Sequence, residues 1–386
     1  MKHHSLDWDA YCREFDSSAD TVWLNHAGIS RTSRSVARAI SDYATEMGDI
    51  GPARIEERFH NTMKVKSLAS RLLGCDAENL AITPGTAFGI NMVAQGYPWQ
   101  AGDEVVLCSV EYPANVYPWW AQERHGVRLV WVDPDADNRI PVERYAEAIT
   151  DKTRVVAVSY VQFSTGYRHD LEALGRLCRE AGCQLVVDVI QAFPVFPLDI
   201  RKWGIDALAF GSHKWLQGPT GIGMFYCSPE LRSRLQPAYV GGTSVKDGFN
   251  FLDYHLDLLD DGRRFEGSMM NLAGCAGLQA ALEIATGFGQ QNLAMKIRQH
   301  SDDLIDVFER QGFQNSSPRG EGEWSGILSF THPEASAEAV FQGLHNEGVN
   351  TLVRDGRLRV SPHAYHRPEE LEKVAPALEK SLRRIL

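Results

Sequence analysis

With 386 residues, 44% of them hydrophobic and 23% charged, the chain has ordinary globular composition. It is long enough for two domains, or for one large α/β domain with a smaller partner. A net charge of −11 repels phosphate backbones and anionic lipid, which argues against nucleic-acid or membrane-surface partners but leaves room for a local anion pocket. Seven cysteines, at 12, 75, 108, 178, 183, 227 and 275, show neither metal-ligand spacing nor a disulfide framework. No apolar run approaches the ~20 residues of a membrane span, and the N-terminal MKHHSLDWDAYCREF is polar, so a cytoplasmic protein is expected.

From residue 20 to 255 short apolar runs alternate with amphipathic stretches. Strands are predicted at Leu80–Thr83, Glu104–Cys108, Arg128–Trp131, Val155–Val158, Gln184–Asp188, Ala207–Phe210 and Gly223–Tyr226. Their continuous Val, Ile and Leu content suits a sheet buried on both faces, and the alternation predicts a mainly parallel sheet flanked by helices. Residues 20–255 are therefore read as a large α/β domain. Beyond 255 the pattern becomes helix (Met270–Gly287), helix (Ala294–Gln311), strand (Gly326–Phe330), helix (Ser336–Glu347), a strand pair around Asn350–Val360 and a last helix from Pro368. Residues 256–386 form a smaller α+β domain on this reading, with 1–19 packing on it.

The most informative stretch is Gln184–Gly223. One strand ends in Asp188, with Gln191 just beyond it. A second runs into Gly-Ser-His-Lys at 211–214 and then a Gly-rich turn. Ligands in α/β sheets sit beyond the carboxyl ends of strands, so Asp188 and Lys214 should converge on one crevice. A lysine there is partly desolvated, its pKa falls, and the amine becomes a usable nucleophile. A lone lysine is more often a solvated surface charge. The pairing of an acid and a lysine at successive strand ends is what favours chemistry.

These residues resemble the class V aminotransferase family of fold type I pyridoxal-5′-phosphate (PLP) enzymes, which includes cysteine desulfurases, kynureninase and isopenicillin N epimerase. The likeness runs from Trp23-Leu-Asn-His-Ala-Gly to Leu358-Arg-Val-Ser-Pro-His. It implies that Lys214 holds PLP as a Schiff base, that Asp188 pairs with the pyridinium nitrogen and that Gln191 bonds the ring's 3′-oxygen. In Thr83-Pro-Gly-Thr-Ala-Phe the free N–H groups of a strand-to-helix turn favour an anion. The resemblance makes Gly85, Thr86 and Ala87 the phosphate cradle, helped by Ser212 and His213, although many relatives carry a hydroxyl where Ala87 stands. Tyr112, in Glu111-Tyr-Pro-Ala-Asn, is the expected stacking partner of the pyridine ring, the alternative being a core aromatic. Arg359 matches the arginine that binds a substrate α-carboxylate. Asn25, His26 and Ala27 match the segment lining the substrate pocket. In Arg264-Phe-Glu-Gly-Ser-Met-Met-Asn, Ser268 and Met269 depart from the family's cross-subunit phosphate contact. The family's pockets form at dimer interfaces, so a homodimer is implied.

The reaction is narrowed by what is missing. Desulfurases attack sulfur with a thiolate on a loop before the carboxylate-binding arginine, and this chain has no cysteine after Cys275. Phe163 stands where desulfurases have an asparagine, and the overall texture looks closest to the epimerase-like branch. The resemblance implies an enzyme acting on an amino acid or amine through an external aldimine and a quinonoid, with aminotransferase as the expected activity. The alternatives are a C–S or other β-eliminating lyase, an epimerase, or a PLP-fold protein without turnover. No Gly-x-Gly-x-x-Gly follows the first strand, which disfavours a nucleotide-dependent oxidoreductase.

Overall fold

The computed structural model describes residues 7–16, 20–267 and 270–386. A seven-stranded sheet runs in the order Leu80–Thr83, Gly223–Cys227, Ala207–Gly211, Gln184–Asp188, Thr153–Ser159, Glu104–Cys108 and Arg128–Val132. All seven expected strands are present, extended by at most two residues at an end. Gly223–Cys227 is antiparallel to both of its neighbours, and every other pairing is parallel. The central strands are buried on both faces: Val155, Val156, Ala157 and Val158 are fully inaccessible, as are Leu185, Val186 and Val187. Each such Val or Leu contributes roughly 1.5–3 kcal/mol of apolar transfer, which is why these runs carry no polar alternation.

Helices cover the sheet. Leu171–Ala181 begins on the Asp170 side chain, which accepts from Ala173 N at 2.9 Å, and ends on Gly182 in the left-handed region (φ 73°). On the other face Thr86–Gly96 lies so close that a Cβ on Gly89 would sit 2.6 Å from Ala209 Cβ. That glycine allows the helix to descend onto the strands and fixes where its N-terminus points. Helices Arg34–Ile50 and Ile55–Leu73, which no sequence signal singled out, pack against Leu272–Phe288. Cys275, Leu278, Leu282 and Phe288 of that last helix join the core beneath the large sheet.

A separate core takes in Val22 and Leu24 of the N-terminal segment and gathers Leu304, Phe308, Phe330, Val340, Leu358 and Leu378. Its antiparallel sheet is ordered Leu352–Arg354, Arg357–Val360, Leu328–Thr331 and Gln314–Asn315. Val22–Trp23 pairs in parallel with Val349–Asn350, and Asn25 forms a bridge with Ser361. The first ties the N-terminal segment to the stretch just before Leu352–Arg354 of the small sheet, and the second ties it to the residue just after the strand that carries Arg359. Both run over more than 300 residues of sequence, so no local pattern announces them.

Candidate active site

The turn Pro84-Gly85 leaves the edge strand and enters helix Thr86–Gly96. Gly85 has φ 155° and ψ −172°, a conformation essentially confined to glycine, and a Cβ there would meet nothing within 4 Å. The helix opens with its first N–H groups free and with the buried Thr86 hydroxyl unpartnered. An anion with several acceptor oxygens fits this cradle.

Asp188 ends its strand beside that turn, 2% exposed, with one oxygen accepting from Ile190 N at 2.9 Å. Burial pushes its carboxyl up to about 7, the Ile190 N–H and Lys214 pull against that rise, and Glu111 adds to it. Lys214 is 8% exposed, and burial lowers its amine to about 8. Asp188 opposes that fall, while Arg359 and Arg354 reinforce it. The amine is therefore more readily deprotonated than a solvated lysine. The Lys214 Nζ sits 5.2 Å from the centre of the Tyr112 ring, which meets Phe163 edge-on at 5.2 Å. Glu111 lies behind, buried, accepting from Ser159 N (2.7 Å) and from Gln162 Nε2 (2.8 Å). Gln191 donates to the Ala27 carbonyl at 2.9 Å and accepts from the Trp215 indole at 2.8 Å. One amide hydrogen remains for the cleft.

The opposite wall belongs to the small sheet. Arg359, 2% exposed, donates from Nη1 to the Phe163 carbonyl at 2.8 Å and from Nη2 to Asn25 Oδ1 at 3.3 Å. Its Nε is buried without a partner, and burial brings its guanidinium down to about 9, with Arg354 adding to the fall and Tyr112 opposing it. A carboxylate arriving here relieves both the orphan donor and the uncompensated charge.

One cleft of about 670 Å³ gathers these groups: Gly85, Thr86 and Ala87 from the turn, Tyr112 above, and Asp188, Gln191, His213 and Lys214 from the strand ends. Asn25, Ala27 and Arg359 close it. Two expected residues stand off it. Ser212 is fully buried and its hydroxyl faces the Pro219 and Ile222 carbonyls at 2.5 and 3.1 Å, which satisfies it without an outside anion. His26 is fully buried, with Nδ1 2.8 Å from the Ser361 carbonyl and Nε2 2.9 Å from the Tyr365 hydroxyl. Its part is to tie the N-terminal segment down. Ser268 and Met269 lie outside the described residues. In the same motif Glu266 accepts from Ile82 N (2.7 Å) and from buried Lys66 (2.8 Å), so it braces the strand that leads into the cradle. Sequence reasoning missed Arg354 and Leu352, both in the cleft wall. Their signal was the Asp355-Gly356 hairpin, which sets Leu352 opposite Arg359.

An orphaned threonine hydroxyl and free helix N–H groups for a phosphate, a buried acid for a protonated ring nitrogen, and a buried amine whose pKa is lowered together fit PLP. None of the seven cysteines lines the cleft.

The chain is similar to several known proteins over nearly its whole length. The "Cysteine desulfurase CsdA" of Escherichia coli is 31% identical over 399 residues, 94% of each chain. A "Probable cysteine desulfurase" of Methanothermobacter thermautotrophicus is 26% identical over 95% of this chain and 96% of that one. Among solved structures, Escherichia coli CsdA superposes with a TM-score of 0.88 at 24% identity, covering 99% of this chain and 100% of that one. The cystine C–S lyase C-DES, in complex with its product cysteine persulfide, superposes at 0.86 and 23%, covering 93% and 97%. The aminotransferase class-V family model matches residues 22–374, and with the fold and the relatives in accord the chain belongs to that family.

Proposed function

We propose that this chain is a PLP-dependent lyase that breaks the bond between the β-carbon and sulfur of a cysteine-derived amino acid. The observation that carries this reading is the cleft itself, which brings together Lys214, Asp188 and Arg359 and contains no thiol. The desulfurase and C–S lyase relatives support cleavage at the β-carbon over the transamination expected from sequence. A cleft without a thiol supports elimination over attack on the sulfur.

When bound, PLP supplies an electrophilic aldehyde and a cationic ring that accepts electrons. Gly85, Thr86 and Ala87 would hold its phosphate, Asp188 would keep the ring-nitrogen proton in place, and Tyr112 would cover the ring. Arg359 orients the substrate by its α-carboxylate, paired through two N–H groups. Lys214 Nζ takes the proton from the α-carbon as general base, which its lowered pKa permits near neutral pH. The C–S bond then breaks with its electron pair leaving on sulfur. Lys214, now protonated, is placed to return a proton. With one water consumed, the balanced products are a thiol or persulfide, pyruvate and ammonium.

Purified protein supplied with PLP should release pyruvate and ammonium in equal amounts from β-chloroalanine or an S-substituted cysteine with no 2-oxo acid present. Turnover only after a 2-oxo acid is added, with the cofactor held in its pyridoxamine form until then, would replace this reading by transamination.

We also infer a homodimer in the cytoplasm. Phe249, Phe251, Leu252, Tyr254 and Leu256 expose 73–88% of their surface, an apolar patch that monomers rarely leave in water, and all seven thiols are free. Sedimentation should give the mass of two chains, and Leu252→Asp should shift it toward one. A monomeric parent protein would remove the inference.

A further inference from the structure

The cleft holds more positive charge than the groups discussed so far consume. Arg354 lies in its wall, half-buried, on the strand Leu352–Arg354. That strand pairs antiparallel with Arg357–Val360 in the register Leu352 to Arg359 and Arg354 to Arg357. Directly paired residues share a sheet face, as do residues two apart, so Arg354 and Arg359 point to the same side as diagonal neighbours, roughly 7–8 Å apart along the sheet. Across the turn, Arg357 is engaged elsewhere, donating to Asn138 Oδ1 at 3.2 Å.

Among the described residues no carboxylate comes within ion-pair range of Arg354. Its Nη1 donates to the neighbouring Val353 carbonyl at 3.0 Å. The electrostatic reach of Arg354 extends to both Lys214 and Arg359, since its charge helps depress each of them. A cation in such a place, set beside two others without a local counter-ion, is costly unless an anion arrives with the ligand. The cofactor phosphate belongs to the Gly85 turn at the end of the large sheet, and the α-carboxylate belongs to Arg359. Neither accounts for Arg354.

We infer that Arg354 forms a second anion subsite, which selects a substrate bearing a carboxylate at the far end of its sulfur-linked side chain. Such a substrate is an S-carboxyalkyl cysteine, or a disulfide or thioether joining two amino acids. This rests on the lyase reading for the identity of the sulfur, while the charge preference itself is measurable by binding alone.

The experiment uses a pair matched in shape: S-(carboxymethyl)cysteine and its neutral amide, S-(carbamoylmethyl)cysteine. The dissociation constant of each is read from the change in visible absorption on titrating the PLP-loaded enzyme, and pyruvate release is followed separately. The parent protein should bind the acid about tenfold more tightly than the amide, the worth of one hydrogen bond to a charged group. Arg354→Gln should bring the ratio close to one, and Arg354→Lys should keep most of it. A ratio near one in the parent, or a preference that survives Arg354→Gln, overturns the subsite. An intact binding preference with no pyruvate from either compound would sink the lyase reading and leave the subsite standing. Cystine and cystathionine, compared in the same titration, then separate a disulfide from a thioether as the natural linkage.

Discussion

Lys214→Ala is expected to lower kcat/KM by at least about 10³-fold, because on the proposed lyase reading a single amine would serve both as the anchor of the cofactor and as the base at the α-carbon. Borohydride treatment of the parent should fix a cofactor adduct that mass spectrometry places on the peptide containing Lys214. The variant should give no adduct while still binding PLP through the Gly85 turn and Asp188. Its fold should survive. The amine is 8% exposed and depressed to about 8, so at pH 7 its charge works against the native state, and its loss leaves the variant at least as stable as the parent. Partial rescue by a small exogenous amine would place the defect in proton transfer. Equal activity of variant and parent would remove the assignment of Lys214 altogether.

Much of this arrangement was legible in the residues because the chemistry sits on strand ends. The run QLVVD can only be a buried parallel strand, and an acid at its carboxyl end has nowhere to go but the crevice. DALAFGSHK repeats that logic one strand over. Ser212 escaped it because the same Gly-rich turn that follows the lysine folds its own carbonyls back onto the hydroxyl. His26 did so because its partners, Ser361 and Tyr365, lie more than 330 residues away. Arg354 was invisible for a related reason. Which face of a two-stranded hairpin an arginine occupies depends on register, and register was set here by where the Asp355-Gly356 turn fell. The reaction was read least well. Transamination and elimination share the amine, the acid and the arginine, and differ in groups supplied by loops and by the substrate.

Asp188→Asn separates the role of the acid from its cost. On the proposed reading the carboxylate would keep the ring nitrogen of the bound cofactor protonated, so the variant should lose about 10²–10³-fold in kcat with a smaller change in KM. In the cofactor-free protein the sign reverses. Burial raises the carboxyl of Asp188 to about 7, above the ~3.9 of an unfolded aspartate. The native state therefore holds a proton that the unfolded chain gives up, and stability falls as pH rises from about 4 to about 7. The difference in melting temperature between variant and parent should grow through that window in favour of Asp188→Asn, then level off. Buried histidines such as His363 and His366, depressed to about 3 and about 4, lose stability in the opposite direction as pH falls, but they are common to both proteins and cancel in the difference. Adding PLP should reverse the ranking, with the parent gaining more, because only an ionised partner rewards a cationic ring. A variant that is slower yet shows no pH-dependent gain without cofactor would mean that Asp188 is solvated in the empty cleft, and the electrostatic account of the site would fail there.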